Sequence, residues 1–174
     1  MARRAADTAL TPDVPVIAKL VAIVASHAPS LINFRGPLLA ELRARGNRVL
    51  AIAPDFDAAT TARLEALRID RREIALARTG LDPIADWRSV RQLTALFAET
   101  KPDVVTGYTP KAAIYSSIAA GKVGVPRIVP MLTGLGYAFQ SGGGLQVRAV
   151  RLATTWLYRA AFRASHAAIF HNHD

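Results

Sequence analysis

The sequence predicts an α/β domain: a single doubly wound parallel sheet of about six strands, with helices on both faces. Three observations carry this. Short runs rich in Val, Ile and Ala, such as Val16 to Ala25 and Arg48 to Ala53, show no polar alternation, as in strands buried on both faces. Each run is followed by a helical pattern after a short turn, and such alternation gives parallel pairing with right-handed crossovers. Finally, the apolar run Ile128 to Leu132 ends abruptly in Thr133-Gly134-Leu135-Gly136-Tyr137-Ala138-Phe139, followed by Gln140-Ser141-Gly142-Gly143-Gly144. That layout delivers a glycine-rich loop to the carboxyl edge of the sheet, where open α/β sheets bind ligands. Glycines there let a ligand approach the backbone.

The elements follow in order. Met1 to Pro15 carries Arg3 and Arg4 but no apolar stretch, so it reads as a disordered leader rather than a secretory signal. Val16 to Ala25 is the first strand, broken by Ser26-His27-Ala28-Pro29-Ser30. A helix is expected from about Leu31 to Arg45, with Leu31, Phe34, Leu38, Leu42 and Leu39 inward, stopped at Gly46. Arg48 to Ala53 is the second strand, Thr60 to Leu67 a short helix and Arg71 to Leu76 a weaker third strand. Asp82-Pro83 caps a helix over Ile84 to Thr100 whose expected buried stripe is Trp87, Val90, Leu93, Leu96 and Phe97. Val104 to Thr106 is the fourth strand. Thr109 as N-cap and Pro110 at the first helical position start a helix over Lys111 to Ala120. Arg127 to Leu132 is the fifth strand, Leu145 to Arg163 the last helix and Ala167 to Phe170 a sixth strand. Residues 16–174 thus make one Rossmann-like domain with no internal repeat or linker.

Composition narrows the function. No apolar run reaches the length of a membrane span, and the absence of cysteine excludes disulfides and thiolate metal sites; the cytoplasm is the expected compartment. The net charge of +9 comes from 18 arginines and four lysines against 13 acids, which points to an anionic partner. His27, His166, His171 and His173 make no zinc constellation, the last two being a terminal His-x-His, so no metal is expected.

Three loops should converge at the carboxyl edge: Ser26 to Gly36, Gly107 to Lys111 and Thr133 to Gly144. Asn33 and Arg35 are expected at a helix start, where N–H groups and the helix dipole favour an anion. Arg35 would clamp phosphate or carboxylate, or else be a solvated arginine. His27 reads as a base or hydrogen-bond donor, or as a structural histidine at a strand end. Thr109 and Lys111 stand at another helix N-terminus, where a lysine opposes the dipole and implies a compensating anion, unless it is simply solvated. Gly134 to Phe139 nearly matches the dinucleotide fingerprint. However, Phe139 replaces the third glycine and the motif follows the fifth strand rather than the first, so no nicotinamide or flavin cofactor is expected.

The last helix has a second feature. At about 100° per residue, Arg148, Leu152, Trp156, Arg159 and Arg163 fall on one face, with Val150, Leu157 and Ala161 opposite, expected to pack on the sheet. Four arginines and only Asp174 follow Gly142. Arginines around a tryptophan suit a helix seated on anionic lipid headgroups, whereas nucleic-acid binding lacks interleaved stacking aromatics and helix-turn-helix spacing.

Taken together, Asn33-Phe34-Arg35-Gly36-Pro37-Leu38-Leu39, Ala51-Ile52-Ala53-Pro54, Lys101-Pro102-Asp103-Val104-Val105, Tyr108-Thr109-Pro110-Lys111-Ala112 and Thr133-Gly134-Leu135-Gly136-Tyr137 resemble the N-terminal domain of family 4 glycosyltransferases. The likeness is greatest to the subgroup of bacterial capsule, exopolysaccharide and O-antigen assembly, and it covers about residues 17 to 174. It implies the N-terminal half of a GT-B fold, two Rossmann-like domains facing across a cleft. Such enzymes move a sugar from a nucleotide sugar, a co-substrate rather than a cofactor, to an acceptor, with retention and no required metal.

The resemblance further implies that this half binds a saccharide acceptor, often polyprenyl-diphosphate-linked, at the cytoplasmic membrane face. The loops carrying Asn33, Arg35, Thr109, Lys111, Thr133, Gly134, Gly136 and Tyr137 would line the cleft and contact it, and His27, from the reading of the first loop, is expected to join them. Arg148, Trp156, Arg159 and Arg163 would meet the anionic membrane surface as a peripheral contact. The family's C-terminal domain binds the donor, and this chain stops at Asp174, so donor binding is expected in a missing domain or a separate subunit. The 174 residues alone should fold without turning over. Some relatives use a histidine after strand five where Thr133 stands here, so no catalytic residue is assigned. The alternative is a stand-alone, non-catalytic binding domain for a phosphorylated or lipid-linked sugar.

Overall fold

The computed structural model describes residues 18–77, 80, 82–132 and 145–171. The expected leader, the glycine-rich loop from Thr133 to Gly144, and His173 lie outside them. The elements are β1 (Leu20–Val24), α1 (Pro29–Ala44), β2 (Arg48–Ala53), α2 (Ala58–Ala66), β3 (Asp70–Glu73), α3 (Pro83–Thr100), β4 (Val104–Gly107), α4 (Pro110–Lys122), β5 (Arg127–Ile128), β6 (Met131–Leu132), α5 (Leu145–Ala164) and β7 (Ile169–Phe170).

Five strands form one parallel sheet in the order β3-β2-β1-β4-β5. Side chains of β1 alternate between two cores, as a strand's period of two requires. Val21 and Ile23 join Leu31, Leu39, Val49 and Leu64 under α1 and α2. Ala22 and Val24 join Leu93, Phe97, Val105 and the body of α4 on the other side. Strand order reverses between β1 and β4, so a crevice opens at their carboxyl ends.

The expected fifth and sixth strands differ from a simple continuation of the sheet. Pro130 has no N–H to give to a ladder, and the run Arg127 to Leu132 divides around it into β5 and β6. Before the break, Val129 N donates to Val105 O; after it, Ile169 N donates to Pro130 O and His171 N to Leu132 O. The chain thus changes partners, and β6 and β7 form a separate parallel pair. Six strands in one sheet become five plus this pair.

Three packing expectations are also corrected. Phe34 is 71% exposed, because α1 buries the phase of Leu31 and Leu39, and Arg35 shares that phase. Trp87 is 58% exposed: α3 turns Ser89, Leu93 and Phe97 inward, and Trp87 sits about 100° away from them. Helix α5 packs on α4 rather than on the sheet. Its Tyr158 and Ala161 are buried there, and Ala164 lies against Gly121. Among the described residues, no helix is long and apolar enough to cross a membrane.

Gly107 ends β4 directly beneath the first turns of α4. A Cβ at this position would lie 2.5 Å from the Ala112 carbonyl oxygen and 2.7 Å from Ser116 Oγ, and the first of these is backbone that cannot swing away. Gly107→Ala should therefore destabilise the domain by about 1–3 kcal/mol. Urea unfolding measures this, and an unchanged midpoint would contradict the packing described.

Candidate functional site

The carboxyl ends of β1 and β4 bring together the turn Ser26–Ala28, the first turns of α1, and Tyr108 with Thr109. Helix α1 begins at Pro29, a residue suited to the first helical position. Asn33 and Arg35 are therefore one to two turns inside the helix rather than at its start. Ser30 Oγ lies 2.5 Å from the His27 carbonyl and 2.6 Å from Tyr108 Oη. A carbonyl only accepts, so Ser30 donates to it and the Tyr108 phenol donates to Ser30. Burial pushes the Tyr108 pKa up to about 12, against smaller opposing effects of the Ser30 bond and the Arg35 charge.

Arg35 lies over the Tyr108 ring, its Cζ 4.9 Å from the centroid. One of its terminal nitrogens donates a long bond to the neighbouring Phe34 carbonyl, while the buried Nε has no partner. No carboxylate pairs with it among the described residues. This is a half-buried guanidinium held by an aromatic face and left with donors to spare. Thr109 occupies the N-cap position of α4, but its side chain makes no capping bond, and its Oγ1 is buried and unpartnered.

Lys111 is different. Its ammonium sits 2.6 Å from Asp86 Oδ1 of α3, both side chains being largely shielded, and 5.9 Å from the centre of the Tyr115 ring. Burial, and then the Asp86 carboxylate, raise the Tyr115 pKa well above its ordinary value. Lys111 is thus not simply solvated: its compensating anion is Asp86, inside the fold. His27 and Asn33 are exposed beside the crevice. Nearby, Asp57 caps α2 by accepting from Thr60 N at 2.6 Å, a bond that holds its carboxyl below the usual range. Thr133, Gly134, Gly136 and Tyr137 lie outside the described residues.

Arg148, Leu152, Trp156, Arg159 and Arg163 all face solvent on α5, with Arg159 Cζ 5.7 Å from the Trp156 ring centre. Sequence reasoning did not assign Ser30, Tyr108 or Asp86 to the site. A signal for Asp86 exists: it falls on the inward phase of α3 with Leu93 and Phe97, and a carboxylate there requires a buried partner.

A family model described as a glycosyl transferase 4-like domain matches residues 35–168. The fold is similar to that of MurG from Acinetobacter baumannii, with 15% identity, a TM-score of 0.55, and 87% of this chain matched to 41% of that one. It is also similar to the glycosyltransferase of kitacinnamycin (18% identity, TM-score 0.51, 85% of this chain and 38% of that one). A UDP-N-acetylglucosamine 2-epimerase shares it as well (14% identity, TM-score 0.57, 87% and 39%). This chain thus spans less than half the length of each of these three. No curated protein matches it. The five-stranded parallel sheet flanked by helices is that of GT-B N-terminal domains.

Two measurements test the local chemistry. Asp86→Asn would leave the Lys111 ammonium shielded without its anion, costing about 3 kcal/mol, and adding Lys111→Met should recover much of the loss in a double-mutant cycle. The buried phenols also set a pH limit. Tyr108 keeps its proton to about pH 12 when folded, against an ordinary 10.0, and Tyr115 and Tyr158 shift the same way. The unfolded chain therefore loses these protons first. Stability from these groups is full below about pH 10 and falls as the pH rises toward 12, visible as a declining urea midpoint and a late phenolate absorbance.

Proposed function

Because the chain belongs to the family of glycosyl transferase 4-like domains, we propose that it is the acceptor-side half of a glycosyltransferase. The complete enzyme would transfer a sugar from a nucleotide sugar, with retention, to a polyprenyl-diphosphate-linked saccharide in bacterial cell-surface polysaccharide synthesis. The observation that carries this reading is Arg35: a guanidinium stacked on Tyr108 at the β1/β4 crevice, with no carboxylate partner among the described residues.

A planar fork with free N–H groups matches two oxygens of a phosphate. Tyr108 holds the fork, and Ser30, itself fixed on the His27 carbonyl, holds Tyr108, so little side-chain freedom is lost on binding. The Thr109 hydroxyl has an unused hydrogen-bonding capacity at the same edge, and His27 and Asn33 are exposed beside it for the saccharide. Lys111 has its charge taken by Asp86 and serves mainly to fix the start of α4. The glycine-rich loop at Thr133, Gly134, Gly136 and Tyr137 would let the acceptor sugar approach. Donor binding belongs to a second domain or subunit. The exposed arginine and tryptophan face of α5 would rest on anionic headgroups at the cytoplasmic side of the membrane.

In the complete enzyme, Arg35→Ala should raise the KM for a lipid-diphosphate acceptor by about tenfold to a hundredfold, the range for hydrogen bonds to a charged group. The donor KM should stay unchanged. Arg35→Lys should restore little, because the fork is lost. Unchanged acceptor affinity in Arg35→Ala would overturn the assignment.

A further inference from the structure

The chain has two tryptophans, and neither is in the core. Trp87 is 58% exposed and Trp156 57%. Each has an arginine over its ring: Arg91 Cζ lies 5.4 Å from the Trp87 centroid and Arg159 Cζ 5.7 Å from that of Trp156. The couple on α5 was legible in the sequence. The couple on α3 was not, since Trp87 reads there as core.

We propose that the first turns of α3, through Ile84, Trp87, Arg88 and Arg91, form a second contact with an anionic lipid bilayer, next to the acceptor crevice. The inference rests on the membrane-surface part of the reading above and extends it to a helix that the sequence had turned inward.

Four observations carry it. Ile84 is 65% exposed, so two large apolar side chains stand in water within one turn, an arrangement that marks a contact surface rather than scattered exposure. Arg88 and Arg91 are exposed on the same side, and neither is in an ion pair among the described residues. Asp86 points inward to Lys111, Asp82 spends its carboxylate on the N-terminal amides, and Glu99 is at the far end of the helix. An indole with a guanidinium on its face is an apolar body with a cationic cap, which suits the boundary between headgroups and acyl chains.

The remaining observation is geometric. Helices α3 and α5 both pack on α4 and contribute to the same core on one side of the sheet. The two arginine-capped tryptophans lie on separate helices, and the positive charge they share suits an anionic surface. Trp87 also follows Asp86, whose carboxylate grips the first turn of α4 beside Tyr108 and Thr109. A lipid-anchored diphosphate could therefore reach Arg35 without leaving the headgroup layer.

With two tryptophans, each single replacement leaves one reporter. Trp156→Phe isolates Trp87, and Trp87→Phe isolates Trp156; both sites are exposed, so folding should survive, as circular dichroism can verify. Each variant of the full chain is mixed with vesicles of phosphatidylcholine alone or of equal parts phosphatidylcholine and phosphatidylglycerol, with and without brominated acyl chains. The expected result is a blue shift and bromine quenching of Trp87 on the anionic vesicles only, reversed by high salt. Arg88→Ala with Arg91→Ala should lower partitioning by about twenty-five-fold, roughly fivefold for each charge.

Quenching of Trp156 with Trp87 unaffected would overturn the α3 contact and leave the α5 contact standing. Silence of both would remove the membrane reading as well. A blue shift of Trp87 that grows with protein concentration in the absence of vesicles would also overturn it, by assigning the face to a second copy of the chain. So would equal, salt-insensitive quenching on neutral vesicles, since the arginines would then have no part.

Discussion

The domain depends on α4 being thin. This helix is covered by the sheet, by α3 and by α5, and nearly every residue from Ala112 to Ala120 is buried. A helix apolar on all sides is the signature of such a central position. Its small residues set the distances around it. Ala112 and Ser116 leave no room for a side chain at Gly107, and Gly121 leaves room only for Ala164. These close approaches bring the N-terminus of α4 to the crevice, where α3 grips it through the shielded Asp86–Lys111 pair. A buried ion pair adds little net stability but is costly to break, so its use here is to fix where α4 begins.

The crevice then separates two kinds of cation. Lys111 is neutralised from within, while Arg35 is held by an aromatic face that offers no counter-charge. The difference is chemical. An ammonium is strongly hydrated and needs an anion when shielded, but a guanidinium is weakly hydrated and can stack on a ring with donors unspent. The cation that remains available to a ligand is therefore the arginine, and Ser30, Tyr108 and the His27 carbonyl exist as a chain of contacts behind it.

Much of this was legible in the residues. Continuous apolar strands and alternating helices gave the parallel sheet, and Asp82 and Pro110 marked helix starts correctly because capping is a local affair. What failed was helix phase at element ends. Phe34 and Trp87 are large and apolar, so pattern reasoning turned them inward, but each lies off the phase set by Leu31 and Leu39 or by Leu93 and Phe97. Polar residues on the true inward phase, Arg35 and Asp86, were the better guide. The partner change at Pro130 depends on where Ile169 and His171 arrive, which no local pattern contains. The contacts of Tyr108 with Ser30 and Arg35 join segments more than seventy residues apart, and only the topology makes them neighbours.

The strand order has a kinetic side. At the amino end of β1, Lys19 N takes the Asn47 side chain 28 positions ahead, whereas Leu20 N takes Asp103 at a separation of 83. Closing the longer loop first would cost about 1 kcal/mol more entropy, and on the ribosome β4 emerges well after β1, α1 and β2. The half under α1 and α2 can therefore assemble while the other flank of β1 is still open. Joining β4 to β1 completes the sheet and, in the same event, sets Tyr108 beneath Arg35. The crevice is thus a late product of folding, and a chain stalled before β4 docks would carry much of its secondary structure with no crevice at all.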